Sequence, residues 1–398
     1  MRPAACAILI ALTGGSACHG PRVGGSLTTG TAGDSATGAA DTGAGGSGHG
    51  GSGGNASGTA GTGPLPRTLA VVPGTGSAGL GYLRMTALEN GIAYPAVLDV
   101  STGILSMRVV VKAITLSNGA ATTLSMEDEA LSGLYDAGSP VALDATHAYW
   151  WSRTVGNGSL LRLRRAPKTG GAREDVVAFD DSVATAPGRP VVTATGGAYV
   201  YWTARGKGIF RCPTSGGCGA GPETVVTAAD DIFTMLVRGD WLYWASATNG
   251  KVWRHGLTSP SDQMLDGGPT VGIAQTCDIA VSANDTELWS IQCLFPYELR
   301  RVNITAMTGT TIANAPNETI DETAAGTLAM GVDTIYFIGS DHVFSVPRTT
   351  AAATPQTLAA LRTSSGAVAD AIIGLDDQYL YLQGSGNSNA GYVLRMAR

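Results

Sequence analysis

Adjacent carboxylates are the residues of this sequence whose types and spacing could do chemistry. Asp180-Asp181, Asp230-Asp231 and Asp321-Glu322 are paired, and Asp266 and Asp370 stand singly, each next to an apolar run. Oxygen donors gathered from several such loops would concentrate cations or basic ligands, Ca²⁺ among them. Carboxylates facing a substrate could also serve as the acid and base of a lyase or hydrolase. Carboxylates start turns as well, and loops are hydrophilic, so binding, catalysis and plain turn chemistry stand side by side. No Gly-x-Ser-x-Gly elbow, His-Glu-x-x-His, phosphate loop or EF-hand loop is present. His147, His255 and His342 fall in separate segments, and His19 and His49 in a glycine-rich one. No catalytic residue, cofactor or metal-ligand set is therefore assigned.

At 398 residues the chain can hold one large all-β domain or two average ones. Its net charge of −6 leaves no basic footprint for nucleic acid. No apolar run approaches the roughly 20 residues of a membrane-spanning helix, so a membrane contact would be a lipid anchor only. Residues 4–12 form a short uncharged apolar run after Met1-Arg2, followed by small residues. That is the pattern of a signal peptide over 1–17. Gly15-Ser16-Ala17-Cys18 resembles a bacterial lipoprotein processing site, which implies that Cys18 is lipidated and begins the mature chain. Plain cleavage after Ala17, with Cys18 left free, is the alternative. The expected address is the cell envelope, as an outer-membrane lipoprotein, or else secretion.

Residues 19–63 contain 17 glycines and no aromatic residue, too little apolar surface to offset the entropy of ordering. The stretch 18–64 is expected to be a disordered tether holding a folded domain, 65–398, off a membrane. An oxidising compartment would pair the four remaining cysteines. Cys212 and Cys218 straddle Gly216-Gly217, and Cys277 and Cys293 flank Asn284-Asp285, so both read as local disulfides.

The elements that must position the carboxylates recur. Ala198-Tyr199-Val200-Tyr201-Trp202-Thr203 leads into Gly208-Ile209-Phe210-Arg211-Cys212-Pro213 and then Gly216-Gly217. Trp151, Trp202, Trp244, Trp289, Phe337 and Leu382 take equivalent places, at gaps of 51, 42, 45, 48 and 45. A fainter copy holds Ala93-Tyr94-Pro95, where Pro95 argues against an interior strand. Each copy reads as an apolar strand, a turn, an aromatic strand, a polar loop, a third strand with Arg near its end, and a short fourth strand. Four strands per ~40–50 residues is the β-propeller pattern. Tyr199 and Tyr201 on one face of the aromatic strand, with Val200 and Trp202 on the other, predict burial on both faces.

The last copy stops at its third strand, Tyr392-Val393-Leu394-Arg395-Met396. Leu65-Pro66-Arg67-Thr68-Leu69-Ala70-Val71 matches the fourth strand of the copy before it, Thr354-Pro355-Gln356-Thr357-Leu358-Ala359-Ala360. The N-terminal strand is therefore expected to complete the last blade of a seven-bladed ring. Six blades follow instead if 73–135 is an insert. Closure leaves no open blade to recruit a second chain, so a monomer is expected. The Tyr-Trp strand, the Gly-x-hydrophobic-x-Arg strand and the Pro-x-x-Gly-Gly turn resemble the YWTD/NHL-like propeller repeats of bacterial surface proteins. That resemblance implies a binding or scaffold role more often than catalysis; a purely structural component of the envelope is the further alternative.

In such a ring the loops from each fourth strand to the next first strand gather on one face around the axis. They would hold Glu127, Asp128, Glu129, Asp136, Asp180, Asp181, Asp230, Asp231, Asp266, Glu318, Asp321, Glu322 and Asp370, against Arg189 and Arg362. Arg153, Arg205, Lys207 and Lys251 would form a partly basic rim on the same face. The expected partner is a cationic ligand or a protein.

Overall fold

The computed structural model describes residues 66–72, 82–99, 106–130, 141–154, 160–180, 191–192, 199–204, 206–219, 221–227, 231–246, 248–268, 275–292, 298–314, 327–339, 341–350, 352–361, 368–385 and 391–398. All belong to the unit Ser57–Arg398. The signal segment, Cys18 and the tether lie outside the described residues.

Seven antiparallel four-stranded sheets make up the unit. Blade one comprises Tyr82–Glu89, Ile92–Asp99, Ser106–Thr115 and Ala121–Ala130. Blade two comprises Ala142–Leu143, His147–Thr154, Leu160–Pro167 and Glu174–Asp180. Blade three is Val191–Val192, Tyr199–Ala204, Gly208–Pro213 and Glu223–Val226. Blade four is Ile232–Arg238, Trp241–Ser246, Val252–Gly256 and Asp262–Asp266. Thr276–Val281, Glu287–Gln292, Glu298–Asn303 and Thr308–Asn314 form blade five. Leu328–Met330, Thr334–Ile338, His342–Pro347 and Gln356–Ala360 form blade six. Blade seven takes Val368–Leu375, Tyr379–Ser385 and Gly391–Ala397 from the C-terminus and Arg67–Val72 from the N-terminus.

First strands of successive blades lie side by side from blade two to blade seven, and the first strand of blade seven meets that of blade one. The ring is closed, and blade one counts as a full blade rather than an insert. Arg67 stands opposite Arg395, Val71 opposite Tyr392 and Val72 opposite Gly391. Pro95 is interior after all. The ladder slips by one residue between Arg84 and Ala87, opposite Pro95, and a slip is where a residue without an N–H can sit in a central strand. Asn90 and Gly91, both at positive φ, supply the tight turn between the first two strands.

Second strands are the core of each blade. Val200, Tyr201 and Trp202 are fully buried, as are Tyr149, Trp150, Trp151, Tyr243 and Trp289. Trp151 of blade two meets Trp202 of blade three edge-on at 5.9 Å, and Trp202 stacks on Phe210 at 6.2 Å. Such pairs fill the wedges between sheets and add about 0.5–1.5 kcal/mol beyond burial. Tyr199 departs from the expected double burial. It is half-exposed, and the Arg211 guanidinium covers its ring at 4.4 Å.

Cys212 and Cys218 are disulfide-bonded across 5.2 Å of Cα separation. The enclosed turn docks on blade two, where the Cys218 amide donates to the Val176 carbonyl at 3.0 Å. Gly217 allows that approach: its φ is +66, and a Cβ there would fall 2.7 Å from the Val176 oxygen. Cys277 is disulfide-bonded as well; Cys293, the partner expected for it, lies outside the described residues.

Two turns between first and second strands share one device. The Asp144 carboxylate accepts from the Thr146 and His147 amides, both at 2.6 Å, and from the Tyr149 hydroxyl at 2.6 Å. Asp376 accepts likewise from the Gln378 and Tyr379 amides and the Tyr381 hydroxyl, at 2.7–2.8 Å. Burial alone would raise the pKa of both aspartates, but these donors outweigh it and hold both below the ordinary value. Burial, with the neighbouring Asp376, pushes the Tyr381 hydroxyl up to about 12. A depressed carboxyl stabilises the fold above its unfolded pKa, about 3.9, and that stability is lost as pH falls through the folded value. Unfolding free energy is thus expected to drop below about pH 4. The double variant Asp144→Asn, Asp376→Asn should be less stable at neutral pH and flatter on the acid limb, read by denaturant titration at pH 2.5–6.

Candidate functional site

The axis of the ring is built by first strands. In blades four, five and seven the ladder between first and second strands slips at one level, leaving Phe233, Cys277 and Asp370 as the extra residues. A slip of this kind bends the strand and re-aims its side chains. Just past the slip in blade five comes Asp278, which is buried. Its Oδ1 accepts from the Thr234 hydroxyl of blade four at 3.3 Å and the Ile279 amide at 2.9 Å; its Oδ2 accepts from the Leu328 amide of blade six at 3.1 Å. One carboxylate therefore ties three blades together at the axis. Asp278→Ala would strand the buried Leu328 amide, and a loss of about 1–3 kcal/mol is expected in chemical denaturation. Between blades seven and one, the Thr86 amide donates to Gln383 Oε1 at 2.8 Å.

Away from the axis, a cross-strand ladder repeats. A second-strand tyrosine faces a third-strand arginine, which faces a fourth-strand acceptor. The sets are Tyr149, Arg165 and Glu174; Tyr201, Arg211 and Glu223; and Tyr243, Arg254 and Gln263. Arg211 binds Glu223 through two bonds, Nε to Oε2 at 2.8 Å and Nη2 to Oε1 at 2.7 Å. Glu223 holds the Arg211 guanidinium protonated well above its ordinary value. Arg254 donates to Gln263 Oε1 at 2.7 Å and lies 4.1 Å over the Trp241 ring. The sequence shows the arginine; only the register shows what it faces.

Joints between blades carry further ion pairs. Lys168 of blade two binds Glu89 of blade one, and Arg348 of blade six binds Glu287 of blade five. Arg238 reaches Asp285 at 3.2 Å from blade four to blade five. The most enclosed pair joins Arg300 of blade five to Asp266 of blade four, Nε to Oδ2 at 2.8 Å and Nη2 to Oδ1 at 3.0 Å. Side-chain exposures there are 10% and 6%.

The candidate carboxylates are not brought to one point. Asp231 is half-buried and immediately precedes the first strand of blade four; Asp370 lies inside the first strand of blade seven. Asp266 ends the fourth strand of blade four and is committed to Arg300 rather than turned to the mouth. Asp180 ends the fourth strand of blade two. Glu127, Asp128 and Glu129 belong to the fourth strand of blade one rather than to a loop. Asp181, Asp230, Asp321 and Glu322, together with Asp136, Glu318, Arg189, Arg205 and Arg362, lie outside the described residues. Lys207 is exposed and Lys251 half-buried, each just before a third strand, and Arg153 is in the second strand of blade two. Among the described residues no three of His, Cys, Asp and Glu gather as a metal site would require. A groove of about 350 Å³, lined by Thr311–Ala313 and 352–354, lies between blades five and six and holds no titratable group.

No family model matches the sequence, and no curated protein matches it. Solved structures do. The chain is similar to an oligogalacturonate lyase from Vibrio parahaemolyticus, at 8% identity over 82% of this chain and 91% of that one, with a TM-score of 0.52. An oligogalacturonate lyase in complex with manganese is similar at 10% identity over 79% and 88%, TM-score 0.51. YCF48 bound to D1 peptide is similar at 9% identity over 80% and 94%, TM-score 0.50. Identities this low concern the fold, the seven-bladed β-propeller.

Proposed function

We propose that this chain is a non-catalytic binding module, exported and displayed on the bacterial cell envelope, whose acidic mouth takes a cationic ligand or a basic segment of a partner protein. The observation that carries the reading is the distribution of carboxylates. Asp231 stands immediately before the axial strand of blade four and Asp370 within that of blade seven, while Asp266 and Asp278 bind the framework. Spread around an axis, such groups suit a ligand contacted at several points, whereas acid–base work needs two groups facing one bond. The fold is shared by lyases and by a peptide-bound protein, so the fold itself selects neither. The signal pattern over 1–17 and Cys18 support display by a lipid anchor, and the Tyr-Trp and Pro-x-x-Gly-Gly repeats support kinship with YWTD/NHL-like surface propellers.

Calorimetry of the mature chain with Ca²⁺ and with a lysine-rich peptide tests this reading. Expected is binding of at least one of them that weakens as salt rises, and that Asp231→Asn and Asp370→Asn each reduce. Silence with both overturns it. So does turnover of a substrate that is lost on changing Asp180 or Asp230.

A further inference from the structure

The outer edge of the ring repeats one arrangement and leaves one joint without its cover. In every blade the ladder between third and fourth strands slips once, and the extra residue of the fourth strand is aliphatic. A slip of this kind takes the extra residue out of the ladder. In blades two and five that residue is met by the next blade. The Cys218 amide of blade three donates to the Val176 carbonyl, and the Ala353 amide of blade six to the Ile312 carbonyl, both at 3.0 Å. Both amides come from long connections between third and fourth strands, residues 214–222 and 348–355. Blade five closes on blade four by another route, Gly309 against Asp266. Arg173 of blade two reaches the Met126 carbonyl of blade one at 3.2 Å. Leu124, Val176, Leu265 and Ile312, the extra residues of these four edges, are all buried.

Between blades three and four the cover is missing. The connection 257–261 is short and turns back on its own blade. There the Gly256 amide donates to the Ser261 carbonyl at 3.2 Å, and a Cβ on Gly256 would fall 2.5 Å from the Ser259 oxygen. Val225, the extra residue of blade three, is only half-buried, and among the described residues no amide of blade four reaches its carbonyl. Val225, Trp253 and Leu257 border one apolar cluster. The Trp253 ring is half-buried and stacks on Trp244 at 6.2 Å. Met264 faces Trp253 across the ladder and is 44% exposed. Leu69 and Leu358 are half-buried as well, but they lie at the two joints of the closing blade, where several side chains are outside the described residues.

We propose that the groove between the outer strands of blades three and four takes a short main-chain segment of a partner protein, which donates to Val225 as blades three and six donate at their own joints. The two filled copies set the chemistry of the occupant. The residue before the donating amide is small in both: Gly217 precedes Cys218 and Ala352 precedes Ala353. A Cβ at Gly217 would fall 2.7 Å from the Val176 oxygen, which shows how close the backbone must come. Main-chain bonds of this kind give affinity, and side-chain contacts give specificity. Here an apolar side chain of the partner would cover Trp253 and Met264, whose flexible thioether adapts to different shapes. The groove lies on the outer strands, away from the acidic mouth, and stands whether or not that mouth binds cations.

The chain's own covers serve as probes: a synthetic peptide of residues 211–222, closed by its Cys212–Cys218 disulfide, and a linear peptide of residues 347–356. Each is titrated into the mature chain while the indole N–H resonance of Trp253 is followed by NMR. At least one peptide should shift that resonance with a Kd of about 1 mM or tighter. Met264→Asp, at an exposed position, should keep the thermal midpoint and weaken the peptide about tenfold or more. Replacing 257–261 by the sequence of 214–222 should fill the groove from within and abolish the response; if that graft does not fold, Met264→Asp decides alone. The proposal is overturned if neither peptide moves Trp253, or if the response survives Met264→Asp. It is equally overturned if the free chain forms a dimer in sedimentation that Met264→Asp dissolves, since the occupant would then be a second copy.

Discussion

Asp266→Ala is expected to lower the unfolding free energy by about 3–5 kcal/mol, the cost of removing one partner from a buried ion pair. The Arg300 guanidinium is held between blades four and five with little access to water. Without Asp266 it keeps Glu298 at 3.3 Å and the Thr311 hydroxyl at 2.9 Å, which satisfy Nη1 and leave Nε and Nη2 without acceptors. Burial works against the charged guanidinium, and Asp266, with Glu298, keeps it protonated. The aspartate is also shape-matched, for a Cβ at Gly309 would fall 2.2 Å from Asp266 Oδ2. Replacing both charges, as in Asp266→Leu with Arg300→Met, should cost less than Asp266→Ala alone, because the penalty lies in the unpaired charge. Denaturant unfolding of the two variants decides it. Equal losses would mean that packing, not charge, sets the cost.

Deleting residues 66–72 is expected to abolish the cooperative unfolding transition. Blade seven would keep three strands, and the third, Gly391–Ala397, would become an open edge beside blade one. Leu69 packs with Ala93, Ile114 and Val393 at the joint of blades seven and one, so the deletion also strips apolar cover from that joint. Loss of a five-pair ladder and its side-chain contacts is comparable to the whole stability of a domain, roughly 5–15 kcal/mol. Aggregation through the exposed edge should accompany it, visible in size-exclusion chromatography. A monomer with a sharp melt would show that the ring stands without its seal.

Much of this architecture was legible because it rests on repetition. The aromatic strand returns every 42–52 residues, at Tyr149, Tyr201, Tyr243, Trp289, Tyr336 and Tyr381 by register, so the sequence alignment is one residue off in blades two and five, where Trp150 and Ser290 rather than Trp151 and Trp289 match Trp202. Aromatic and β-branched runs between turn residues form strands whatever the ligand. The likeness of 65–71 to 354–360 foretold the closure, since one blade lacked a strand and one strand lacked a blade. Pro95 shows the limit of a local rule, since a proline is unsuited to a central strand only where the ladder is regular, and the slip opposite it belongs to the pairing rather than to the sequence around it. The axis was hidden for a related reason. Phe233, Cys277 and Asp370 occupy one structural level but lie 10, 12 and 11 residues before Tyr243, Trp289 and Tyr381, because the intervening turns differ. Asp278 gave no signal, as a lone aspartate after a cysteine names none of its partners. Asp266 resembled the other loop carboxylates, and only the arrival of Arg300 from the next blade commits it to the framework.

Seven blades sealed by a strand from the far end of the chain is the claim on which the mouth and the ladder both depend. A disulfide engineered at Val71→Cys and Tyr392→Cys measures it most directly, because these residues stand opposite each other and opposed strand positions lie within bonding range of two thiols. Peptide mapping after mild oxidation should find the two introduced thiols joined, with a midpoint of thermal unfolding above that of the reduced protein. Introduced thiols that stay free, or a bridge that lowers the midpoint, would contradict the closed ring.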